Sequence, residues 1–210
     1  MYLTKTPSFI QSLFPNLTWR LPSNSNKLYL TFDDGPIPDV TDWVLDILHQ
    51  HQAKATFFCV GENVEKHPSI FTRIKAEGHS IGNHTFQHKN GWQTKTEEYY
   101  QDIRKCAELV DSNLFRPPYG RMKPSQVNML KHQYQIVMWD ILTGDFDPTL
   151  DPDTCYQNII DKTKSGSILV FHDSLKAAPI LRKVLPQVLQ HYSELGYTFE
   201  AITSQSISNA

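Results

Sequence analysis

Seven short apolar segments divide this chain, and sequence with helical spacing lies between most of them. The segments are 27–32, 54–60, 79–84, 114–116, 134–139, 167–171 and 197–201. Strands that alternate with helices favour a parallel sheet, because a parallel crossover needs about a dozen connecting residues. The chain is therefore predicted to have an α/β fold, and seven strands in 210 residues indicate a distorted, incomplete (β/α)7-type barrel.

Helical spacing is clearest where apolar residues recur three and four positions apart. Residues 40–48 follow this spacing and predict an amphipathic helix. Thr94 and Glu97 have the spacing of a capping box and predict the start of a second helix. Residues 180–189 predict a third helix, which Pro186 should kink or divide because proline lacks the N–H that a helix interior needs.

One domain accounts for most of the chain. A sequence of 210 residues, 40% of them hydrophobic, can bury a substantial core, and no stretch resembles a linker between two domains. We predict a single domain over residues 27–210. Residues 1–26 are predicted to be an N-terminal extension that packs on the barrel.

Charge and hydropathy argue against several partners. The net charge is -2 and no basic run occurs, which argues against a nucleic-acid partner. No apolar run approaches the roughly 18 residues that a membrane span needs. Residues 1–26 lack the features of a signal peptide, so a cytoplasmic location is favoured, and a secreted one requires that a signal segment was removed. No pattern predicts an oligomeric state.

Two adjacent carboxylates, Asp33 and Asp34, end the apolar run 29–32 and are followed by Gly35 and Pro36. The run predicts a buried strand that the glycine and the proline terminate, so both acids should project from the strand end into loops. Neighbouring anions repel each other, and their repulsion raises one pKa unless a cation or a metal compensates. An N-cap followed by an ordinary surface turn is the alternative explanation.

A second cluster lies in residues 78–88, which contain His84 and His88. On a helical turn, a spacing of four places both imidazoles on one face, close enough to share a small cation. Two neutral histidines and one carboxylate make an open-sided site that leaves a position for water, which suits zinc or a similar first-row ion. The alternatives are two surface histidines or a structural metal site, but structural zinc normally has four protein ligands and no cysteine lies nearby.

Two further segments place polar side chains after short apolar runs. In residues 114–120, Arg116 precedes two prolines and Tyr119. The guanidinium can hold a carboxylate bidentately, and the rigid loop can aim a backbone N–H at a developing oxyanion; a plain rigid loop is the alternative. In residues 166–173, an apolar strand ends at His172. The ends of four predicted strands, on the face where β/α barrels build active sites, thus carry Asp33, Asp34, His84, Arg116 and His172.

These segments, in this order, resemble the motifs of the polysaccharide deacetylase family, also called carbohydrate esterase family 4 or the NodB-homology domain. The resemblance covers about residues 27–201, and four ordered motifs are far more specific than any one of them. The family motifs Thr-Phe-Asp-Asp-Gly, His-(Ser/Thr)-x-x-His, Arg-x-x-Tyr and Leu-x-His stand here at residues 31–35, 84–88, 116–119 and 170–172, with valine in place of the leucine. Residues 27–210 thus resemble a single catalytic domain of this family.

The resemblance implies a metal-dependent hydrolase that removes N-acetyl groups from carbohydrate containing N-acetylglucosamine, such as peptidoglycan or chitin-like oligosaccharide. Asp34, His84 and His88 match the positions of the family's metal ligands. One divalent ion is implied, with zinc favoured over cobalt, nickel or manganese.

The same resemblance implies a role for each remaining motif residue. Asp33 matches the catalytic base and is expected to be held by Arg116. The metal and the backbone N–H of Tyr119 would stabilise the oxyanion, and His172 as an imidazolium would protonate the leaving amine.

One motif departs from the family pattern. The family places two aspartates, the second followed by tryptophan, in a segment that supports the catalytic histidine. Here Leu142 stands at the first of these positions, and Asp145 is followed by phenylalanine. Without a nearby carboxylate, His172 would be a weaker base and a stronger acid, unless Asp145, Asp140 or Asp173 supplies the contact. An acetyl ester depends less on that acid than an amide does, so an esterase preference stays open.

Other functions are compatible with the motifs. A deacetylase or amidase acting on a small metabolite is one alternative, and an acetyl esterase acting on xylan is another. A carbohydrate-binding relative that retained the barrel and lost turnover is the non-enzymatic alternative, which the complete set of motif residues disfavours.

Overall fold

The computed structural model describes residues 2–21 and 25–208. Its sheet has eight strands. They are β1 (Lys27–Asp33), β2 (Ala55–Cys59), β3 (Ser80–Asn83), β4 (Leu114–Phe115), β5 (Gln135–Ile136), β6 (Ile141–Leu142), β7 (Ile168–His172) and β8 (Thr198–Phe199).

Helices lie between most of the strands, as the alternating pattern predicts. They are α1 (Ser8–Leu13), α2 (Val40–Gln50), α3 (Gly61–Lys66), α4 (Pro68–Ala76), α5 (Thr96–Ala107), α6 (Pro124–Leu130), α7 (Pro152–Ile160), α8 (Ala178–Glu194) and α9 (Ser204–Ser208), with one turn of 3-10 helix at Pro118–Gly120. None of the helices in the described ranges is long and apolar enough to cross a membrane.

The sheet is parallel and curls into a half-barrel. Its strand order is β5-β4-β3-β2-β1-β7-β6, and β8 pairs with β1. The central strand β1 brings Asp33 level with Phe58 of β2 and with His172 of β7. The predicted α/β fold with a distorted, incomplete barrel is confirmed, and the register places the ends of β1 and β7 side by side.

The main hydrophobic core lies between the central strands and the helices that cover them. Leu30 and Phe32 of β1 and Phe171 of β7 are fully buried against α2 and α8. Burying a side chain of this size stabilises the fold by about 1.5–3 kcal/mol. The core thereby fixes the positions of the strand ends that carry the polar residues.

The predicted strand 134–139 is wrong in its extent. Only Gln135–Ile136 is β5, and a separate strand, β6, follows at Ile141–Leu142. Between them, the carbonyls of Val137 and Met138 accept hydrogen bonds from the buried side chain of Arg116. The side chain of Arg116, which follows β4, therefore occupies carbonyls that would bond to a neighbouring strand if β5 were continuous.

The predicted cap of one helix and the predicted division of another are also wrong. Helix α5 begins at Thr96 after Lys95, and the hydroxyl of Thr94 donates to the carbonyl of Asn90 instead of capping the helix. The predicted division of the helix at Pro186 is wrong, since α8 continues through Pro186 as one helix. Burial of both flanking apolar turns offsets the roughly 3 kcal/mol that an interior proline costs.

The segment of residues 2–21 lies along the open side of the half-barrel. Thr18 forms a bridge with Val137 just beyond β5, and Lys5 forms one with Ile141 of β6. These contacts cover the two edges that the described sheet leaves free, which would otherwise expose unpaired backbone groups. Residue 1 and residues 22–24 of the predicted extension (1–26) lie outside the described residues.

Candidate active site

A cleft of about 550 Å³ opens at the carboxyl ends of the central strands. It is lined by six of the residues that the sequence singled out: Asp33, Asp34, His84, His88, Tyr119 and His172. Arg116 and Asp145 are fully buried behind this surface. The polar residues at the strand ends therefore lie together in one open cleft, as predicted, and the side chains of Arg116 and Asp145 are buried beneath it.

Three side chains in the cleft form a group of metal-ligand type. Ligand atoms of Asp34, His84 and His88 all lie within 4.8 Å of one another. Nε2 of His88 is 3.2 Å from Oδ1 of Asp34. One carboxylate and two imidazoles are a common donor set for zinc and other first-row divalent ions.

The protonation states of two of these residues suit metal binding. Nδ1 of His84 donates to the carbonyl of Arg116 at 2.7 Å, which leaves Nε2 with its lone pair. Burial lowers the pKa of His84 to about 4 and keeps the ring neutral. Burial by itself would raise the pKa of Asp34, but the hydrogen bond from His88 and the nearby positive charge of His172 hold that pKa well below its usual value. The donor set therefore fits a divalent cation.

The two histidines do not share a helical face, contrary to the sequence-based expectation. His84 follows β3 directly, and the loop to His88 has left-handed backbone at Thr85 (φ 63°) and at His88 (φ 53°). Two hydrogen bonds hold this loop, because Oδ2 of Asp102 accepts from the backbone N–H groups of Phe86 (2.8 Å) and Gln87 (3.0 Å). A strained loop, rather than helix periodicity, brings the imidazoles together.

Sequence reasoning missed Asp102 and its role in the loop. The available signal was an acidic residue on the buried side of α5, between Tyr99 and Ile103. A carboxylate in that position needs hydrogen-bond donors when it is buried. The donors are backbone N–H groups of the loop between His84 and His88.

Left-handed backbone recurs elsewhere in the cleft. Asp34 has φ 85° and Tyr119 has φ 60°. Non-glycine residues in such regions cost about 1–3 kcal/mol each and persist only where the surroundings hold them. Asn63 supplies one such restraint, since its Nδ2 donates to the carbonyl of Asp34 at 2.7 Å. The backbone is therefore strained at Asp34 and Tyr119, whose side chains line the cleft.

Arg116 holds Asp33 from below. Its Nη1 donates to Oδ1 of Asp33 at 2.7 Å and to the hydroxyl of Thr31 at 2.6 Å. Nε and Nη2 donate to backbone carbonyls, so the contact with Asp33 is one hydrogen bond rather than the predicted bidentate pair. Burial lowers the pKa of Arg116, and the charge of Asp33 opposes that shift. The guanidinium, stacked 4.1 Å from the Phe58 ring, fixes the position of the carboxylate.

His172 is paired with Asp145. Nδ1 of His172 lies 2.8 Å from Oδ1 of Asp145, and the backbone N–H of His172 donates to Oδ2 at 2.8 Å. Burial alone would lower the pKa of His172, but the charge and hydrogen bond of Asp145 outweigh it and raise that pKa to about 9. The imidazole is therefore protonated near neutral pH.

The other two aspartates considered for this contact, Asp140 and Asp173, form hydrogen bonds with groups other than His172. Asp140 accepts from the hydroxyl of Ser167 at 2.6 Å. Asp173 accepts from the N–H of Gly35 at 3.0 Å and from the hydroxyl of Thr41 at 2.6 Å. Its backbone N–H also donates to the carbonyl of Asp33 at 3.1 Å, so Asp173 ties the ends of β1 and β7 together.

Other residues that line the cleft were not predicted as site residues. An apolar wall includes Leu142, which is level with Val170 on the neighbouring strand. The remaining lining residues are Tyr2, Arg121, Trp139, Phe146, Val170, Ser174 and Lys176. Val170 lies in β7, and the others come from loops and from the N-terminal segment, whose placement depends on contacts distant in sequence.

Known proteins resemble this chain in sequence. A family model described as polysaccharide deacetylase matches residues 20–137. A peptidoglycan-N-acetylglucosamine deacetylase of Bacillus cereus is 37% identical over 179 aligned residues, and the match covers 80% of this chain and 65% of that protein. A chitooligosaccharide deacetylase of Azorhizobium caulinodans is 36% identical, over 73% of this chain and 77% of that protein.

A solved structure also resembles the whole fold. It is a peptidoglycan N-acetylglucosamine deacetylase in complex with 4-naphthalen-1-yl-N-oxidanyl-benzamide. The TM-score is 0.81 at 33% sequence identity, and the match covers 94% of this chain and 95% of that one.

Proposed function

This chain belongs to the polysaccharide deacetylase family, and we propose that it is a metal-dependent hydrolase that removes N-acetyl groups from carbohydrate containing N-acetylglucosamine. One observation supports this proposal above all: the metal-ligand group, the paired Asp33 and the paired His172 line a single cleft. Relatives named for peptidoglycan and for chitooligosaccharide support a carbohydrate substrate.

The metal would be held by Asp34, His84 and His88. A zinc ion bound there would supply Lewis-acid catalysis by polarising the acetyl carbonyl. The neutral state of His84 and the ionised state of Asp34 are the forms that ligate a cation.

Asp33 would act as the general base. Arg116 contacts only Oδ1 of its carboxylate, so an oxygen remains to accept a proton from the attacking water. The water oxygen forms a bond to the acetyl carbon, and its proton passes to Asp33. The fixed guanidinium keeps that carboxylate in place during the transfer.

His172 would act as the general acid. Asp145 occupies its Nδ1, so the proton on Nε2 is the one available to the leaving nitrogen. The bond between the acetyl carbon and nitrogen breaks as the nitrogen takes that proton, which gives a free amine and acetate. The backbone N–H of Tyr119, on the rim of the cleft, would assist by donating to the oxyanion.

Acetate release by metal-stripped protein tests this proposal. Chitin oligosaccharides and peptidoglycan fragments are incubated with the protein, with and without added zinc or cobalt, and acetate is quantified. We expect release that depends on the metal. Absence of release from a protein that binds one metal ion per chain would contradict the carbohydrate deacetylase assignment.

Asp145→Asn should move the alkaline limb of the kcat profile to lower pH. His172 has a raised pKa of about 9, so its acid form is present at neutral pH and is lost as pH rises through that value. Removing the paired charge should lower this pKa by about 1–3 units. The measurement is kcat for acetate release between pH 6 and about 10.

Asp140→Asn is the matched control, since Asp140 is equally buried but bonds Ser167 instead of His172. Its kcat profile should retain the alkaline limb of the unmodified protein. An unshifted limb in Asp145→Asn would show that Asp145 does not set the protonation of the catalytic acid.

His172→Ala should reduce amide cleavage more than ester cleavage. An amine leaves poorly without a proton, whereas a phenolate leaves readily, so loss of the general acid should lower kcat on the amide by about 10²–10⁴-fold. The measurement compares acetate release from an N-acetylated oligosaccharide with hydrolysis of an acetylated phenol. Equal losses on the two substrates would argue against His172 as the acid and would leave an esterase preference open.

A further inference from the structure

An exposed tryptophan is held in a fixed orientation beside the cleft. Trp92 is 59% exposed. Its Nε1 donates to the carbonyl of Met122 at 3.0 Å, and its backbone N–H donates to Oδ1 of Asn90 at 3.0 Å. A large ring that is anchored at its polar edge and open to solvent offers a flat apolar surface without a further loss of conformational entropy on binding.

Arg121 links this ring to the cleft. Its guanidinium lies 5.1 Å from the centre of the Trp92 ring, and the same residue lines the cleft that holds Asp33 and His172. Within residues 2–21 and 25–208, no carboxylate forms an ion pair with Arg121. Its donors are therefore available to oxygen atoms of a ligand that extends out of the cleft.

The backbone beneath this pair leaves little freedom. A Cβ at Gly91 would collide with the carbonyl oxygen of Arg121, so the two loops approach as closely as glycine allows. Nε2 of Gln126 donates to the carbonyl of Gly91 at 2.9 Å, and Nζ of Lys123 donates to the carbonyl of Thr94 at 2.7 Å. Trp92 and Arg121 thus lie on two loops that are held together by hydrogen bonds and by close backbone packing.

We propose that Trp92 and Arg121 form an outlying sugar-binding subsite, which holds a second sugar of the same substrate chain while the first is deacetylated. This inference rests on the proposed function. The apolar face of a pyranose ring packs on an indole, and its hydroxyl groups accept from a guanidinium, so the pair matches both surfaces of a sugar. Continuity with the cleft, through Arg121, identifies the occupant as part of the substrate. The enzyme should therefore prefer oligomers to monosaccharides.

Chain-length preference tests this subsite. The readout is the ratio of kcat/KM for a chitin hexamer to kcat/KM for N-acetylglucosamine. Trp92→Ala should lower this ratio about tenfold, mainly through a higher KM on the hexamer, as expected for loss of a well-packed aromatic contact. Arg121→Ala should lower it in the same direction, and Trp92→Phe should retain most of it.

A second tryptophan–arginine pair provides the matched control. Arg182 lies 5.1 Å from the Trp43 ring, the same distance as in the proposed subsite, and neither residue lines the cleft. Arg182→Ala should keep the unmodified ratio. An unchanged ratio in Trp92→Ala, or an equal fall in Arg182→Ala, would overturn the inference.

A binding measurement separates this inference from the proposed function. Calorimetric titration of the Asp33→Asn protein with the chitin hexamer reports affinity without turnover. Weaker binding after the further change Trp92→Ala supports the subsite even if no acetate is released by the unmodified protein. Equal binding with and without Trp92 would overturn the subsite even if deacetylation is confirmed.

Discussion

Asp33→Asn should lower kcat by about 10²–10⁴-fold while the protein still binds its metal. An asparagine has nearly the same shape as the aspartate, and its carbonyl oxygen can still accept from Arg116, which now donates to Oδ1 at 2.7 Å. The amide cannot take a proton from water. The measurement pairs kcat for acetate release with the metal content of the purified protein.

Asp111→Asn serves as the control for this change, because Asp111 is an exposed aspartate outside the cleft. It should retain both kcat and metal content. An Asp33→Asn protein that is fully metal-loaded and still turns over at the unmodified rate would remove Asp33 as the base. A variant that loses its metal would instead make Asp33 a ligand.

His84→Ala should abolish metal binding and activity together. His84 is buried, and its ring is neutral because burial lowers its pKa. Its Nδ1 donates to the carbonyl of Arg116, which leaves Nε2 as the atom that can bind a cation together with Asp34 and His88. Removing one of the three proposed ligands leaves too few donors to retain a cation. Metal content by elemental analysis and acetate release should fall in parallel.

His79→Ala separates loss of a ligand from loss of a buried imidazole. His79 is also buried, and burial likewise lowers its pKa to about 4, but its Nδ1 accepts from the backbone N–H of Ala55, away from the cleft. This variant should be less stable to heat and should keep its metal. Unchanged metal content in His84→Ala would overturn the ligand assignment.

The strand ends could be predicted from sequence because their signals are local. An apolar run that stops at Asp33 or at His172 predicts both a buried strand and the polar group that follows it, and the parallel register then brings those ends together. The family motifs added the grouping of Asp34 with the two histidines. None of this required knowledge of the loops.

The parts that could not be predicted depend on contacts distant in sequence. The helical placement of His84 and His88 was wrong because a carboxylate of another element, Asp102, holds the intervening loop in an irregular conformation. The extent of the fifth strand was wrong because Arg116 takes the carbonyls of residues 137 and 138. Spacing within a segment carries no information on such partners.

The structure shows which residue contacts His172 although Leu142 replaces the first aspartate of the family motif. The missing first aspartate left the environment of His172 open in the sequence. In the structure the imidazole contacts Asp145, while Leu142 contributes to the apolar wall of the cleft. A carboxylate at position 145 therefore suffices to pair with the histidine.

The N-terminal segment has a consequence for the order in which the protein folds. Its contacts join residues that are far apart in the chain. The sequence separation is 133 from Thr6 to Trp139 and 157 from Lys5 to Lys162. Closing such long loops costs entropy before any contact is gained, so we expect the segment to dock after the central strands have formed. Because Tyr2 lines the cleft, one wall of the active site should be completed only in this late step of folding.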